Sequence, residues 1–337
     1  MSPSISVVIP AYRAEATLAE CLHGIARSTV RPVETRVVGD DGSTDRTASV
    51  AGRAENVRVI AVADGPRGPA HARNTGARAA AGDILLFLDA DVVVHPDAIG
   101  RISACFTSNP DVSAVFGSYD DRPAAPSRVS RYRNLLHYYV HQHSRRDAST
   151  FWAGCGAVRR LAFDQVGGFD ENYTRPSIED IELGVRLAAR GARILLMPDV
   201  QVTHLKAWSL ADILRTDIRS RAWPWAILML SRGEVPDDLN TSTSSRLSAL
   251  LAWVLVAAAF AAVSIPAGRW TAALAAVGLV VLNRHLYACF RRNGGTPLLL
   301  VGVVLHTLYL LSSSATFAAA MIYTRVVGRR RREAPVA

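Results

Sequence analysis

The sequence predicts an α/β domain with a mostly parallel central sheet, followed by helices that cross a membrane. Apolar runs alternate with helical patterns four times in the first part of the chain, which is typical of a parallel sheet covered by helices on both faces. Two later stretches carry no charged residue, one between Arg246 and Arg269 and one between Arg292 and Arg325. Each is long enough to cross a hydrocarbon core of ~30 Å.

The predicted strands are short apolar runs that end at turn signals. They begin at Ile5, Thr35, Val57 and Ile84. Helices are predicted in the gaps between them. Apolar residues recur at helical spacing over residues 18–25, and residues 44–54 and the glycine-bounded segment 68–82 are also predicted to be helical.

Acidic and turn-forming residues follow three of these strands. They are Pro10 to Tyr12, Asp40 to Asp45, and Asp89 to Asp91. In an open parallel sheet, ligands bind outside the carboxyl ends of the strands, so these segments are expected to surround one cleft.

The common nucleotide-binding motifs do not account for this cleft. A dinucleotide-binding fold needs a glycine fingerprint after the first strand, where this chain has PAYRAEA. A P-loop needs a lysine before serine or threonine, but the single lysine, Lys206, precedes Ala207. A cleft rich in carboxylates instead suits a hard divalent cation that carries a diphosphate.

Five segments resemble the successive motifs of family 2 glycosyltransferases, from about Ile5 to His204. They read SVVIPAYRAEATLAECL, VVGDDGSTDRT, GPAHARNTGARAAAGDILLFLDADVVVHPDAI, GCGAVRRLAFDQVGGFDE and SIEDIELGVRLAARGARI. The resemblance implies a GT-A fold and an inverting transfer of a sugar from a nucleotide diphosphate donor.

The resemblance also implies a set of residues for the donor. Asp40 matches the aspartate that binds the base, with Asp41 beside it, and Arg73 matches a residue that approaches the base or the phosphates. The loop that flanks the base matches Pro10, Ala11 and Tyr12. A uridine diphosphate sugar is the expected donor, although guanosine and thymidine diphosphates fit similar clefts. A turn or a helix cap is the structural alternative for Asp40, and a solvated surface residue is the alternative for Arg73.

Asp89 and Asp91 match the D-x-D motif of the family. The resemblance implies that Asp91 binds Mg²⁺ or Mn²⁺, and that Asp89 contacts the ribose or a metal-bound water. A histidine near the position of His204 completes the metal site in related enzymes. The alternatives are an ordinary aspartate-rich turn and a structural histidine.

Glu179 and Asp180 match the acid pair that holds the general base of the family. Asp180 is the expected base, and it would take a proton from the acceptor hydroxyl. Because the pair starts a helical pattern, a favourable interaction with the helix dipole is the plainer alternative. Trp152 and Gly154, in FWAGCGAVRR, would line the acceptor side.

The region between the catalytic motifs and the first apolar stretch favours a membrane-held acceptor. Residues 1–240 form the predicted glycosyltransferase domain, and residues 219–232 suit an interfacial helix because arginines precede tryptophans and aliphatic residues. Processive synthases of the family carry Gln-x-x-Arg-Trp near this place, and no such glutamine is present here. We therefore expect a single sugar addition to a lipid-linked or glycolipid acceptor. The alternatives are a processive polysaccharide synthase and an inactive scaffold in envelope assembly.

The predicted membrane domain, residues 247–325, holds two or three apolar segments. They lie at about 247–267, 271–289 and 297–324. The basic tail, residues 326–337, is expected on the cytoplasmic side with the catalytic domain, which requires an even number of crossings. Two crossings are therefore favoured, with the middle segment not fully spanning. A pair of buried helices in a soluble domain is the alternative.

The net charge of +9 favours contact with anionic lipid over contact with nucleic acid, because the arginine cluster directly follows an apolar stretch. The apolar run near the N-terminus is too short for a signal peptide. The expected location is therefore the inner membrane, with several crossings. The sequence does not determine the oligomeric state.

Overall fold

The computed structural model describes residues 2–39, 43–62, 66–233 and 239–333. The described chain divides into two compact units. The first contains the chain up to Pro126 together with Val140–Ala207, and the second contains Ser127–Tyr139 and the chain from Trp208 onward.

The first unit is built on a mixed β-sheet. Its strands are β1 Ile5–Ala11, β2 Glu34–Gly39, β3 Val57–Ala61, β4 Ile84–Leu88, β5 Val92–Val94, β6 Val112–Tyr119, β7 Asp147–Ala148, β8 Cys155–Arg159 and β9 Arg193–His204. The strand order is β3-β2-β1-β4-β8-β6-β9-β5, and β7 pairs with β9. All four strands predicted from the sequence are present, and β1 to β4 are parallel to one another.

A strand before His204 was predicted, but the pairing of the strands in the second half of the sheet was not. β8 is antiparallel to both β4 and β6, while β9 is parallel to β6 and antiparallel to β5. Six of the nine described strands (β1 to β4, β6 and β9) therefore run in one direction, as predicted for a mostly parallel sheet.

Helices connect the strands. In the order of the chain they are α1 Leu18–Ala26, α2 Thr47–Ala51, α3 Pro69–Ala79, α4 Ala98–Ser108, α5 Arg128–His143, α6 Arg160–Gln165 and α7 Glu179–Ala189. The core between the sheet and its helices is apolar, and β4 is completely buried along its length. This burial explains why Ile84–Leu88 carries no polar residue before Asp89.

The second unit is helical. After α8 Leu210–Arg215, a π-helix (Thr216–Ala222) leads into α9 Trp223–Arg232, and these are followed by α10 Thr243–Ala261, α11 Pro266–Leu282 and α12 Arg284–Glu333. Helix α12 is interrupted at Gly294 and Gly295, and Gly295 has a positive φ of 65°. The segment predicted as one interfacial helix (219–232) is thus a π-helical turn followed by α9.

Candidate functional site

The site begins where β4 ends. Asp89 and Asp91 follow the strand, and both side chains are about one-third exposed, at 33% and 30%. The backbone N–H of Asp89 donates to the carbonyl of Gly154 at 3.3 Å, which ties this turn to the start of β8. The fully buried strand thus presents two carboxylates at the carboxyl edge of the sheet.

Arg73 connects the Asp89–Asp91 pair with the Glu179–Asp180 pair. Its Nη2 donates to Asp89 Oδ1 and its Nη1 to Glu179 Oε1, both at 2.8 Å. The guanidinium also lies over the ring of Phe169, 5.4 Å from its centroid. Arg73 is only 5% exposed, so the structure places it as a buried bridge between carboxylates. Two charge-assisted hydrogen bonds of this length are among the strong polar interactions in proteins.

Helix α3 positions Arg73. The helix starts after Gly68, whose φ of 91° is unfavourable for other residues, and it has Pro69 at its first position. A Cβ on Gly68 would also overlap the backbone of Thr174, so glycine allows that loop to pack against the helix start. Arg73 then lies one turn into α3, on its buried face.

The register between β5 and β9 brings Asp91 to His204. Val92 pairs with His204, and the N–H of Leu205 donates to the Asp91 carbonyl at 2.8 Å. The His204 Nε2 lies 3.6 Å from Asp91 Oδ2. Burial favours a higher pKa for Asp91, but His204 and Lys206 outweigh it, so the pKa of Asp91 is lowered and the carboxylate stays ionised.

Glu179 and Asp180 start α7, as predicted. Acidic residues in the first turn favour this helix start because they face its positive end. Asp180 accepts hydrogen bonds from the N–H of Ala153 at 3.1 Å and the N–H of Ile181 at 2.8 Å. Burial and the nearby Glu179 raise the pKa of Asp180 to about 6, against the opposing effect of Arg73. A carboxylate with such a pKa is a suitable general base near neutral pH.

The charges of the site are unbalanced. Burial raises the pKa of Asp89, and its neighbours Asp91 and Glu179 add to the effect, while Arg73 lowers it. Three carboxylates, those of Asp89, Glu179 and Asp180, therefore share one buried guanidinium. A site with this excess of negative charge is prepared to accept a cation.

The metal ligands available from the protein are few. Within the described ranges, no three His, Cys, Asp or Glu side chains come together as a metal-binding group. Asp91 and His204 can supply two ligands, whereas Asp89 is held by Arg73. Mg²⁺ and Mn²⁺ sites that carry a nucleotide use one or two protein ligands and complete their shell with phosphate oxygens and water. The residues present fit such a site.

Aromatic rings form one wall beside these ligands. Tyr119 stacks on His204 with 4.3 Å between centroids and an angle of 14°, and Trp152 meets Tyr119 edge-on at 5.0 Å. Trp152, predicted on the acceptor side, is thus connected to the candidate metal ligand through Tyr119. Tyr119 was not predicted as a site residue, because its only signal in the sequence is an aromatic residue at the end of a buried strand.

Gly154 lets Trp152 take its position. A Cβ on Gly154 would overlap the Trp152 indole, so any other residue would displace the ring. Gly184 on α7 has a comparable role, because a Cβ there would overlap the backbone of Thr150 and Phe151. The segment that carries Trp152 therefore packs closely against the helix that carries Asp180.

The predicted base-binding loop lies at the end of β1. Pro10 and Ala11 pair with β2 inside the sheet, and Tyr12 is 43% exposed with the Arg13 guanidinium 5.2 Å from its ring centre. Arg13 has a positive φ of 48°, and its N–H donates to Ser43 Oγ at 3.1 Å. Asp40 and Asp41 lie outside the described residues.

Two family models match the chain. The model described as glycosyl transferase family 2 matches residues 6–167, and that of the N-terminal domain of galactosyltransferase matches residues 133–207. The two matches together cover the segments that carry Arg73, Asp91, Asp180 and His204.

Two curated relatives illustrate the similarity. A validoxylamine A glucosyltransferase from Streptomyces hygroscopicus subsp. limoneus is 33% identical over 220 residues, which cover 56% of this chain and 49% of the relative. An N-acetylglucosaminyl-diphospho-decaprenol L-rhamnosyltransferase from Mycobacterium tuberculosis is 28% identical over 242 residues, or 62% of this chain and 78% of the relative. The chain spans about half the length of the first curated relatives it matches.

The fold is also known from solved structures. A mannosyltransferase from Pyrobaculum calidifontis, solved with GDP-Man and Mn²⁺, matches with a TM-score of 0.57 at 21% identity, over 94% of this chain and 88% of that chain. The predicted GT-A fold is thereby confirmed. Residues 6–167 match the glycosyl transferase family 2 model, and the GT-A fold and the order of the motifs agree with this match.

Proposed function

We propose that the chain transfers a sugar from a nucleotide diphosphate donor to a hydroxyl group of a membrane-associated acceptor, with inversion at the anomeric carbon. The observation that carries the proposal is the buried bridge of Arg73 between Asp89 and Glu179. This bridge joins the candidate donor and metal residues at the end of β4 to the candidate base at the start of α7.

Asp91 and His204 are the residues that would hold a divalent cation with the donor diphosphate. Such a cation neutralises the charge that develops on the departing diphosphate. Asp91 is suited to this role because its lowered pKa keeps it ionised. Tyr119 positions the imidazole of His204 by stacking on it.

Asp180 is the proposed general base. It takes the proton of the acceptor hydroxyl as the oxygen attacks the anomeric carbon from the face opposite the diphosphate. General-base catalysis of this kind contributes roughly 10²- to 10⁴-fold. The hydrogen bond from the Ala153 N–H fixes the carboxylate next to the segment that carries Trp152. Trp152 would then present an apolar surface to the acceptor.

Arg73 is proposed as a positioning residue and not as a ligand of the nucleotide. Both of its terminal nitrogens are engaged by carboxylates, and its side chain is almost completely buried. It separates the acids of the two pairs and lowers their mutual repulsion.

The acceptor class rests on two observations. Two described helices are long and apolar enough to cross a membrane, at Thr243–Ala261 and within Arg284–Val326. The mycobacterial relative is named for a decaprenol-linked acceptor. We therefore propose a lipid-linked or glycolipid acceptor and a location at the inner membrane, with the catalytic unit in the cytoplasm.

Transfer of labelled sugar tests this function. Detergent-purified protein is incubated with a panel of nucleotide sugars, uridine diphosphate sugars first, and with either membrane lipid extract or soluble saccharides. Transfer into the lipid fraction that is lost in Asp180→Asn supports the proposal. Efficient transfer to soluble saccharides with no product in lipid would contradict the acceptor class, and equal products from wild type and Asp180→Asn would contradict the role of the base.

A further inference from the structure

We propose that helices α10 and α11 form a hairpin that crosses the bilayer twice, and that the second half of α12 lies along the side from which the hairpin enters. The partner of the exposed apolar surface of the hairpin is then the acyl region of a lipid bilayer. This proposal deepens the membrane association of the proposed function. It differs from the expectation that the middle apolar segment does not fully span.

Helices α10 and α11 run antiparallel over their whole length. Asn283 Nδ2, just after α11, donates to Ser248 Oγ near the start of α10 at 2.9 Å. At the other end, Gly268 lies against Ala258 and Ala262. Only residues 262–265 connect the two helices. If α10 crosses a bilayer, α11 therefore returns through it.

The side chains of the hairpin are arranged as in membrane helices. The buried residues of α10 are Ser248, Ala252 and Ala258, and those of α11 are Gly268, Ala275 and Leu279. Large apolar side chains point outward instead, among them Trp253, Phe260, Val263, Trp270, Leu274 and Val277. Small residues between helices and large residues outside are typical of packing in lipid, where close backbone approach drives association.

The length of the hairpin fits a bilayer. The 19 residues of α10 and the 17 residues of α11 correspond to roughly 28 Å and 25 Å at 1.5 Å per residue. These lengths match a core of ~30 Å once the short connection is added. Arg269 and Trp270 stand at the tip of the hairpin, and Trp270 is 76% exposed. Tryptophan and arginine at this level suit the far membrane interface.

The side of the membrane from which the hairpin enters is called the near side. Helix α12 repeatedly contacts elements on this side. Before its break, α12 carries Arg284, Arg291 and Arg292. After the break, the chain packs back on this charged segment, with His306 Nδ1 3.2 Å from the Tyr287 hydroxyl. A residue only three positions further on, Tyr309, lies close enough to Arg133 and Asp217 to interact electrostatically.

The Arg133–Asp217 pair belongs at the near interface. The two side chains form a buried ion pair at 2.8 Å, and their segments also carry Arg128, Arg131, Arg215, Arg219 and Arg221. Further along α12, Tyr323 packs on Trp223, the first residue of α9, with 5.6 Å between ring centroids. The helix thus meets near-side elements from residue 306 to residue 323, which a helix that crossed the bilayer would leave behind.

The contact between α12 and the hairpin agrees with this placement. Trp253 Nε1 donates to Ser314 Oγ at 3.0 Å, and Leu310 packs with Ala252 and Leu279. Ala252 is only a few residues inside the apolar stretch, which starts at Leu247. Amphipathic helices at a membrane interface are buried to a depth of roughly 5–10 Å. The contact of α12 with Ala252 is consistent with this depth. The arginine-rich end of α12 then remains on the near side, as positive charge at a cytoplasmic face requires.

Single-cysteine labelling distinguishes this topology from the others. The four native cysteines are buried, so wild-type protein serves as the unlabelled control. Ser264→Cys reports the hairpin tip, Arg292→Cys the segment before the break, and Arg325→Cys the end of α12. Leu161→Cys, whose parent side chain is 77% exposed, marks the side of the catalytic unit. Each variant is expressed in intact cells and treated with a membrane-impermeant maleimide before and after permeabilisation.

The proposal predicts that Ser264→Cys is labelled in intact cells and that the other three variants are labelled only after permeabilisation. Labelling of both Ser264→Cys and Arg292→Cys in intact cells would mean that α10 and α12 cross, and would overturn it. Labelling of Ser264→Cys and Arg325→Cys would mean three crossings, and would also overturn it. Protection of Ser264→Cys in intact cells, or recovery of the protein in the soluble fraction, would exclude a crossing hairpin. None of these outcomes depends on sugar transfer, so failure of the topology and failure of the proposed function remain distinguishable.

Discussion

The Arg73 guanidinium and the Asp89 carboxylate lie 2.8 Å apart, although the D-x-D acids of this site are expected to face the donor. The same guanidinium holds Glu179 through its other terminal nitrogen. One buried cation therefore fixes the distance between the end of β4 and the start of α7. The proposed mechanism needs this distance, because donor and base must face the same anomeric carbon.

Replacement of Arg73 by methionine is expected to lower kcat/KM by about 10²-fold or more, because the two acid pairs would repel each other and move apart. Arg73→Lys keeps the charge but lacks the fork of two nitrogens that reaches both carboxylates, so it should retain an intermediate activity. Thermal melting of the purified variants separates this loss from unfolding. The addition of Glu179→Gln to Arg73→Met should recover part of the activity. Wild-type kinetics in Arg73→Met would contradict a positioning role.

The acid limb of the pH profile should reflect Asp180. Its pKa is raised to about 6, and only the ionised form accepts a proton, so kcat/KM is expected to fall as the pH drops below about 6. Glu179→Gln removes a like charge and should move this limb to lower pH. Arg73→Met removes the cation that lowers the pKa, so it should move the limb to higher pH. A limb that stays in place in both variants would assign the titration to another group.

Gly154→Ala tests the aromatic wall. The added methyl group would overlap the Trp152 indole, so we expect a loss of about 1–3 kcal/mol in the free energy of unfolding. The displaced ring should also raise KM for the acceptor more than KM for the donor. Gly167→Ala is the control, because open space surrounds that position, although its positive φ carries a cost of its own. An unchanged acceptor KM in a folded Gly154→Ala variant would remove Trp152 from the acceptor site.

The buried Arg133–Asp217 pair predicts a characteristic double-variant result. Arg133→Met alone should lower the free energy of unfolding by about 3–5 kcal/mol, because Asp217 would remain as an uncompensated buried charge. Arg133→Met combined with Asp217→Leu should restore most of this loss. Denaturant unfolding in detergent measures both values. If the double variant were as unstable as the single one, packing and not charge would explain the effect.

The sequence predicted the parallel half of the sheet because each of its strands is a local pattern between turn signals. β8 and the β5–β9 pair could not be predicted in this way, since they depend on contacts between residues that are distant in sequence. The same reason explains Arg73. Its partner Asp89 is 16 residues away and its partner Glu179 is 106 residues away, so no local pattern shows that the arginine is buried between them.

The positions of the motif acids were predicted from the sequence, whereas the side chains that surround them were not. Asp91 and Asp180 stand in motifs with recognisable spacing, whereas Tyr119 stands alone at the end of β6. Its importance follows from the pairing of β6 with β9, which brings it against His204. For the membrane domain, hydropathy favoured α10 and the second half of α12 as the crossing segments, but it could not show which side chains of α10 and α11 face each other.

The most direct test of the central claim is the release of nucleoside diphosphate from a nucleotide-sugar panel, measured with and without Mn²⁺. The wild type is compared with Asp91→Asn and with Asp97→Asn, an exposed acid six residues further along the chain. We expect that one donor is turned over only with Mn²⁺, that Asp97→Asn behaves like the wild type, and that Asp91→Asn loses activity. Turnover that needs neither Mn²⁺ nor Asp91 would contradict the account.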